Sequence, residues 1–379
     1  MALSPQLQAR AIALRRRLIH ALGRKFDPCP PPAGLALSPS ESHVAAYPTA
    51  PLALSWSKSD RTDPAQWQDA ARERLAELTG FVTSGAAPAV RRTEDREAGA
   101  GLGRKSVYLD GGPGRDLPVN LVWQDDGGWP RPVMICLQGT NSGAHMSWGE
   151  ARMPADPLKI ANGGDYARQA AMRGYLAVCL EQACFGERVE RRLPSRAGGP
   201  CASAAHHALL LGRTLLGERA GDVSVVTTWL RENAADMGVD PEKIFVMGHS
   251  AGGSTALFAG ALDTRIAGVI AAGCVGFVRD TIAARQDLEG QNVIPGILNW
   301  LEIDDVVALC APRPFLTIAG KSDHIWPFDQ AEAVVASARQ VYDALGAGER
   351  IAALPGPGGH RFYPEIAWDA FPQVSDPRL

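Results

Sequence analysis

The stretch VMGHSAGG, Val246 to Gly253, decides how the chain is read. It sets Ser250 between a β-rich run, Lys243–Met247, and a helix of small residues, Ala251–Ala261. Gly248 and Gly252 leave room for a strained turn that lifts the serine hydroxyl above the carboxyl edge of a sheet. A bare Gly-x-Ser-x-Gly is common by chance, and its bland counterpart is a plain βα turn. Here the flanking strand and helix that the motif requires are both present, so Ser250 is read as a nucleophile.

Working outward, short β-rich runs bounded by Gly, Pro and Asp alternate with helical stretches, the pattern of an α/β sheet. Strands are expected at Lys105–Leu109, Val119–Trp123, Val133–Leu137, Tyr175–Leu180, Ala267–Ala272, Pro314–Ile318 and Ile351–Leu354. Helices are expected at Tyr166–Met172, Ala204–Leu216, Asp222–Met237 and Gln330–Leu345. A mostly parallel sheet flanked by helices, with right-handed crossovers, is the economical topology. Residues 1–99 read as an extension that packs on a catalytic domain at 100–379. Within it, apolar residues at helical intervals predict an amphipathic helix over 4–23, and residues 26–63 are too rich in proline for a continuous helix. A second helix begins near Asp63-Pro64, with Trp67, Ala70, Leu75, Leu78 and Phe81 on its packing side.

A serine hydroxyl needs a base, and histidine titrates in the right range. Of eight histidines, His360 is the choice: PGPGGHRFYPE puts it in a Gly/Pro-rich loop beyond the last strand, at the same sheet edge as Ser250. His249 adjoins the nucleophile and is expected to point away from it, while His206 and His207 fall in a helix. The imidazole in turn needs a carboxylate, and Asp323, in GKSDHIWP after the strand PFLTIAG, gives the order Ser, Asp, His. Asp280, Asp304 and Asp305 stay open as alternative acids. For the oxyanion, the N–H of Ala251 at a helix start is the first donor. The loop LQGTNSG, Leu137–Gly143, is to supply the second from Gly139 or Thr140, against the reading of a generic glycine turn.

From about Arg131 to Phe371 the chain resembles α/β-hydrolases of the dienelactone hydrolase and acetyl xylan esterase-like branch. The resemblance rests on CFGER (184–188), HHALLLGRTLLG (206–217), GHSAGG, ALDTRI (261–266), VIPGIL (293–298), APRPFLTIAGKSDHIWP (311–327) and PGGHRF. It implies an α/β-hydrolase fold, a Ser250, Asp323, His360 triad and ester hydrolysis. Dienelactone hydrolases proper carry cysteine at the elbow, so their substrate is not transferred to Ser250. Many relatives have His-Gly where this chain has Gln138-Gly139. Gln138, His145, Trp148, Phe185, Trp300 and Trp326, in loops near strand ends, are the candidates for lining a substrate pocket, with plain core filling as the alternative for the aromatics.

Composition narrows the partners. The 379 residues are 46% hydrophobic and 21% charged, a globular composition, and 38 basic against 41 acidic residues give a net charge of −3. Neither nucleic acid nor an anionic membrane is advertised by such a balance. No apolar run reaches the length of a bilayer span, and the start lacks the order of a signal peptide, so a cytoplasmic location is expected. Seven scattered cysteines without metal-site spacing fit reduced thiols, and no phosphate loop is present. The expectation is a cofactor-free serine carboxylesterase for small or medium acyl esters, acylated sugars among them, with a small-molecule ester as partner and a homo-oligomer left open. The competing readings are a peptidase or amidase of the prolyl-oligopeptidase type and a non-catalytic binding protein on the same fold.

Overall fold

A computed structural model describes residues 14, 18, 32–60, 62–97, 101–125, 128, 130–191, 201–282 and 290–375. The helix expected over 4–23 lies outside these apart from Leu14 and Leu18, which are helical and exposed. The chain divides into compact units Met1–Thr49 and Ala50–Leu379, so the boundary expected at residue 99 falls inside the larger unit. The described part of the smaller unit contains a short exposed helix, α1 (Pro39–Ala46), begun by a proline at its first turn.

The larger unit is built on one nine-stranded sheet in the order β1-β2-β3-β5-β4-β6-β7-β8-β9. Its strands are β1 (Val90–Glu97), β2 (Leu102–Asp110), β3 (Asp116–Gln124), β4 (Arg131–Leu137), β5 (Leu176–Leu180), β6 (Val239–His249), β7 (Gly268–Ala272), β8 (Phe315–Gly320) and β9 (Ile351–Gly356). The β1-β2-β3-β5 pairs are antiparallel and those from β5 to β9 are parallel. All expected strands are present. β1 is an addition: its sequence VRRTEDRE shows charge rather than hydrophobic alternation, which suits an edge strand paired on one side only.

The other α-helices longer than four residues are α2 (Pro64–Thr79), α3 (Tyr166–Ala171), α4 (Ala202–Leu210), α5 (Leu215–Glu232), α6 (Ala251–Leu262), α7 (Ile303–Ala308), α8 (Phe328–Ala344) and α9 (Pro364–Ser375). β5, β7 and β8 are buried along their whole length, as central parallel strands covered on both faces must be. The strand period of two sorts their side chains: Val133, Ile135 and Leu137 join a core with residues of α2, α5, α6 and α8. Met134 and Cys136 join a second core with residues of α3 and α9.

α2 begins as the sequence predicts, with Asp63 accepting from Gln66 N at 2.9 Å, and ends at Gly80 in the left-handed region. Its buried side differs by one position: Ala70 is exposed, whereas Gln68 and Ala71 are buried. Gln68 Nε2 donates to the carbonyls of Ala308 and Ala311, both at 2.9 Å, so a polar residue sits there at no hydrogen-bonding cost. The single helix expected at 204–216 is broken. Thr214 caps a new helix by accepting from Gly217 N at 2.9 Å, and Gly217 lacks the Cβ that would sit 2.1 Å from the carbonyl oxygen of Thr79. Among the described residues no helix is long and apolar enough to cross a membrane.

Candidate active site

The elbow between β6 and α6 forces Ser250 to φ 56°, ψ −121°, a conformation that costs free energy in a non-glycine residue. Two glycines hold it there. A Cβ on Gly248 would sit 2.3 Å from the carbonyl of Gly252, and one on Gly252 would sit 2.1 Å from the Leu137 oxygen. Ser250 N donates to Ala272 O at 2.8 Å, tying the turn to the end of β7. The Ala251 N–H is the first of α6, a position without an intrahelical acceptor and at the positive end of the helix dipole.

Asp323 follows β8 and His360 follows β9, and their loops interlock: Ser322 N donates to Gly358 O at 3.0 Å, and Tyr363 Oη donates to Gly359 O at 2.6 Å. His360 Nδ1 lies 2.7 Å from Asp323 Oδ2. Asp323 Oδ1 accepts from the backbone N–H of Ile325 at 2.8 Å and of Trp326 at 3.0 Å. Burial opposes ionisation of this carboxyl, but the hydrogen bonds from His360, Trp326 and Ile325 outweigh it and hold the pKa below the ordinary value. An ionised Asp323 makes Nδ1 the donor, which leaves Nε2 as the lone-pair nitrogen. Among the described residues no hydrogen bond closes between Ser250 Oγ and His360, a contact that often tightens only around substrate.

The other acid candidates are engaged elsewhere. Asp304 accepts from Ser337, Asp305 accepts from Trp56 N at 2.8 Å and Ser55 Oγ at 3.1 Å, and Asp280 is exposed. His249 corrects an expectation. Its ring does not turn away but stacks on His360 with centroids 4.6 Å apart, because Gly273 lacks the Cβ that would lie 2.8 Å from His249 Nε2. Burial, reinforced by the charge His360 takes up, pushes the His249 pKa down to about 3, so His249 is a neutral wall.

Ser250, His249 and His360 line a cavity of about 190 Å³ with Gly139, Thr140, Asn141, Met146, Lys159, Asn162, Gly164, Tyr166, Arg361 and Phe362. None of the six residues expected to line the pocket is among them. Gln138 is fully buried and donates to Glu181, whose carboxyl also accepts from Ala144 N and is pushed by burial up to about 7. His145 is locked between Asp156 (3.0 Å) and Ser142 (3.2 Å). Trp148 lies under Arg104, Phe185 under Arg219 and Trp300 under Arg74. Trp326 is buried near Gly276. The rings serve as seats for guanidinium groups or as core, a use that composition and loop position do not distinguish from pocket lining.

Gly139 and Thr140 are where the sequence placed them. A Cβ on Gly139 would be 3.4 Å from Ser250 Cβ, and Thr140 Oγ1 accepts from Gln291 Nε2 at 3.3 Å. Tyr166 and Phe362 were missed as wall residues. Phe362 had a signal, lying two places after His360, whereas Tyr166 read only as the start of a helix.

Comparison with known proteins agrees with this architecture. The BD-FAE family model matches residues 213–311. Carbohydrate esterase MZ0003, from an unknown prokaryotic organism, is 34% identical over 131 residues, 30% of this chain and 30% of that protein. The chain therefore spans under a third of that relative's length in the aligned region. A Bacillus subtilis protein described as a hydrolase, YtaP, is 22% identical over 53% of this chain and 67% of its own. A Bacteroides fragilis structure described as an acetyl xylan esterase superposes with a TM-score of 0.67 at 19% identity, covering 92% of this chain and 86% of that one. A glucuronoyl esterase from Teredinibacter turnerae gives 0.60 at 17% identity over 97% and 99%. The chain has the α/β-hydrolase fold, and the proteins it resembles are esterases and hydrolases.

Proposed function

We propose that the chain is a serine carboxylesterase that cleaves short acyl groups, with carbohydrate esters as its substrate class. The observation that carries this reading is the Asp323–His360 pair, 2.7 Å apart, at a cavity whose wall holds Ser250 on a strained elbow. Ser250 Oγ attacks the ester carbonyl while His360 Nε2 takes its proton, and the carbonyl π pair moves onto oxygen. Collapse expels the alcohol, which takes the proton from His360, and leaves an acyl-serine. Water repeats the sequence and releases the acid. Asp323 fixes the tautomer of His360 and stabilises the imidazolium, while Ala251 N–H supports the oxyanion.

A cavity of about 190 Å³ is below the roughly 300 Å³ at which drug-sized ligand sites begin, which favours an acetyl-sized group. The carbohydrate class is supported by the names of the relatives. The test is a series of 4-nitrophenyl esters beside peptide 4-nitroanilides. Acetate is expected to be cleaved at least tenfold faster in kcat/KM than octanoate, with no turnover of the anilides. Faster cleavage of octanoate or of an anilide would overturn the reading.

A further inference from the structure

Arg361 follows His360 and lines the same cavity. Its guanidinium carbon lies 4.6 Å from the centroid of the Tyr363 ring. That ring is itself pinned: Tyr363 is buried, and its Oη accepts from Gly358 N at 3.1 Å and donates to Gly359 O at 2.6 Å. Stacking occupies one face of a guanidinium and leaves its in-plane N–H groups to be used. Arg74, Arg104, Arg173 and Arg219 also lie on aromatic rings, and each gives such a group to an acceptor, respectively Glu77, Glu150, the Gln169 carbonyl and Gln291. Among the described residues Arg361 has no acceptor. Lys159 lines the cavity too, and its ammonium likewise has no acceptor or acidic partner among them. A Cβ on Gly163 would sit 2.7 Å from Pro364 Cγ and 3.3 Å from the Phe362 oxygen, so the segment that carries Lys159 packs on the segment that carries Arg361. No Asp or Glu is among the residues lining the cavity. In a chain of net charge −3, this cavity is positive where the protein as a whole is not.

We propose that the alcohol part of the substrate carries a carboxylate, as an acylated uronic acid does, and that Arg361 and Lys159 bind it. This rests on the esterase reading above and narrows its substrate class. His360 returns its proton to the leaving alcohol, so the alcohol part lies on the His360 side of the scissile bond, beside Arg361. The acyl group takes the enclosed space, while Arg361, half-buried, and Lys159, exposed, stand at the mouth where the alcohol part emerges. Held flat on Tyr363, the guanidinium offers its edge as a two-pronged donor to a planar carboxylate, and Lys159 adds a point charge. The carboxylate takes no part in bond making. Ser250 gains the acyl group, and the alcohol leaves with the proton from His360 and its carboxylate unchanged.

The experiment gives 3-acetoxybenzoate, its neutral methyl ester and 3-acetoxybenzenesulfonate to wild type, Ser250→Ala, Arg361→Gln and the double variant Arg361→Gln with Lys159→Gln. Each kcat/KM is divided by that ester's alkaline hydrolysis constant, which removes differences in intrinsic reactivity. The ratio of anionic to neutral ester then cancels general damage to a variant. Wild type is expected to prefer the carboxylate over the methyl ester by about tenfold, the effect of hydrogen bonds to a charged group partly in water. The preference should lie in KM, because the carboxylate is bound alike in ground and transition states, and should shrink in high salt. Arg361→Gln is expected to lower the ratio, and the double variant to bring it within threefold of 1. The sulfonate should fall between the other two, since its three oxygens do not match the planar fork. A wild-type ratio within threefold of 1, with Ser250→Ala inactive, overturns the carboxylate site alone. A preference that survives the double variant overturns its assignment to Arg361 and Lys159, and a sulfonate faster than the carboxylate overturns the choice of anion. Turnover surviving in Ser250→Ala overturns the underlying site reading instead.

Discussion

Replacing Asp323 by asparagine exchanges one oxygen for a nitrogen, and the hydrogen bonds dictate which way the amide must sit. Oδ1 accepts from two backbone N–H groups, Ile325 at 2.8 Å and Trp326 at 3.0 Å. The amide oxygen therefore keeps that place, and the NH₂ group takes the place of Oδ2, 2.7 Å from His360 Nδ1. Flipping the amide would set NH₂ against both N–H groups and lose two hydrogen bonds, each worth about 1 kcal/mol net. With an NH₂ donor facing it, Nδ1 must become an acceptor and the ring proton moves to Nε2. A protonated Nε2 cannot take the proton of Ser250. The same wrong-tautomer exchange in a Ser-His-Asp protease costs about 10⁴ in kcat, and a loss of about 10³ to 10⁴ is expected here. KM should stay within about threefold, because Asp323 does not line the cavity. Stopped-flow hydrolysis of 4-nitrophenyl acetate reads both phases. The acylation burst should slow with the steady rate, and the residual rate should keep rising at alkaline pH as hydroxide replaces the disabled base. A loss below tenfold would refute the assignment of Asp323 as the residue that orients His360.

Two further perturbations test the scaffold under the site. Gly252→Ala places a methyl group 2.1 Å from the Leu137 oxygen and 2.6 Å from that of Gln138, and neither can yield without moving the oxyanion loop. A destabilisation of about 2–3 kcal/mol by urea unfolding, with at least a tenfold loss of kcat/KM, is expected, and wild-type values in both would show that the close approach does not matter. Glu181 carries a folded-state pKa raised from 4.5 to about 7, so the folded chain holds a proton that the unfolded chain releases between those values. Its contribution to stability is thus greatest below the unfolded pKa, declines as pH rises to about 7 and is flat above. The decline is on the order of 3 kcal/mol at most. Glu181→Gln should shrink the drop in unfolding free energy between pH 5 and pH 8, while Glu302 and Asp305, which are also raised, continue to act in both proteins. An unchanged drop would count against a buried, protonated Glu181.

What was legible in the sequence follows from what each feature needs. The elbow is readable because backbone contacts of 2.1–2.3 Å tolerate only glycine at 248 and 252. The placing of Asp323 and His360 was readable because each follows an apolar run too short for a helix and so lies at the same end of a parallel sheet. β1 was not readable, since its residues are chosen for an exposed edge. The cavity walls were not readable either. Trp148, Phe185 and Trp300 looked like pocket rings, but each is covered by an arginine from another element, Arg104, Arg219 and Arg74, a pairing set by tertiary distance. Gln138 looked like an oxyanion-loop side chain, yet it faces Glu181 on the neighbouring strand's end, inside the protein. The break between α4 and α5 depends on Gly217 meeting Thr79, which local periodicity does not record.

The central claim, that Ser250 is acylated, is tested most directly by trapping the intermediate. Wild type and Ser250→Ala are mixed with 4-nitrophenyl acetate, quenched in acid during the burst and examined by intact-mass and peptide mass spectrometry. The account predicts one acetyl group per wild-type chain on the peptide containing Ser250, lost again on return to neutral pH, and no burst or label in the variant. A burst that persists in Ser250→Ala, or an acetyl group on another residue, would contradict it.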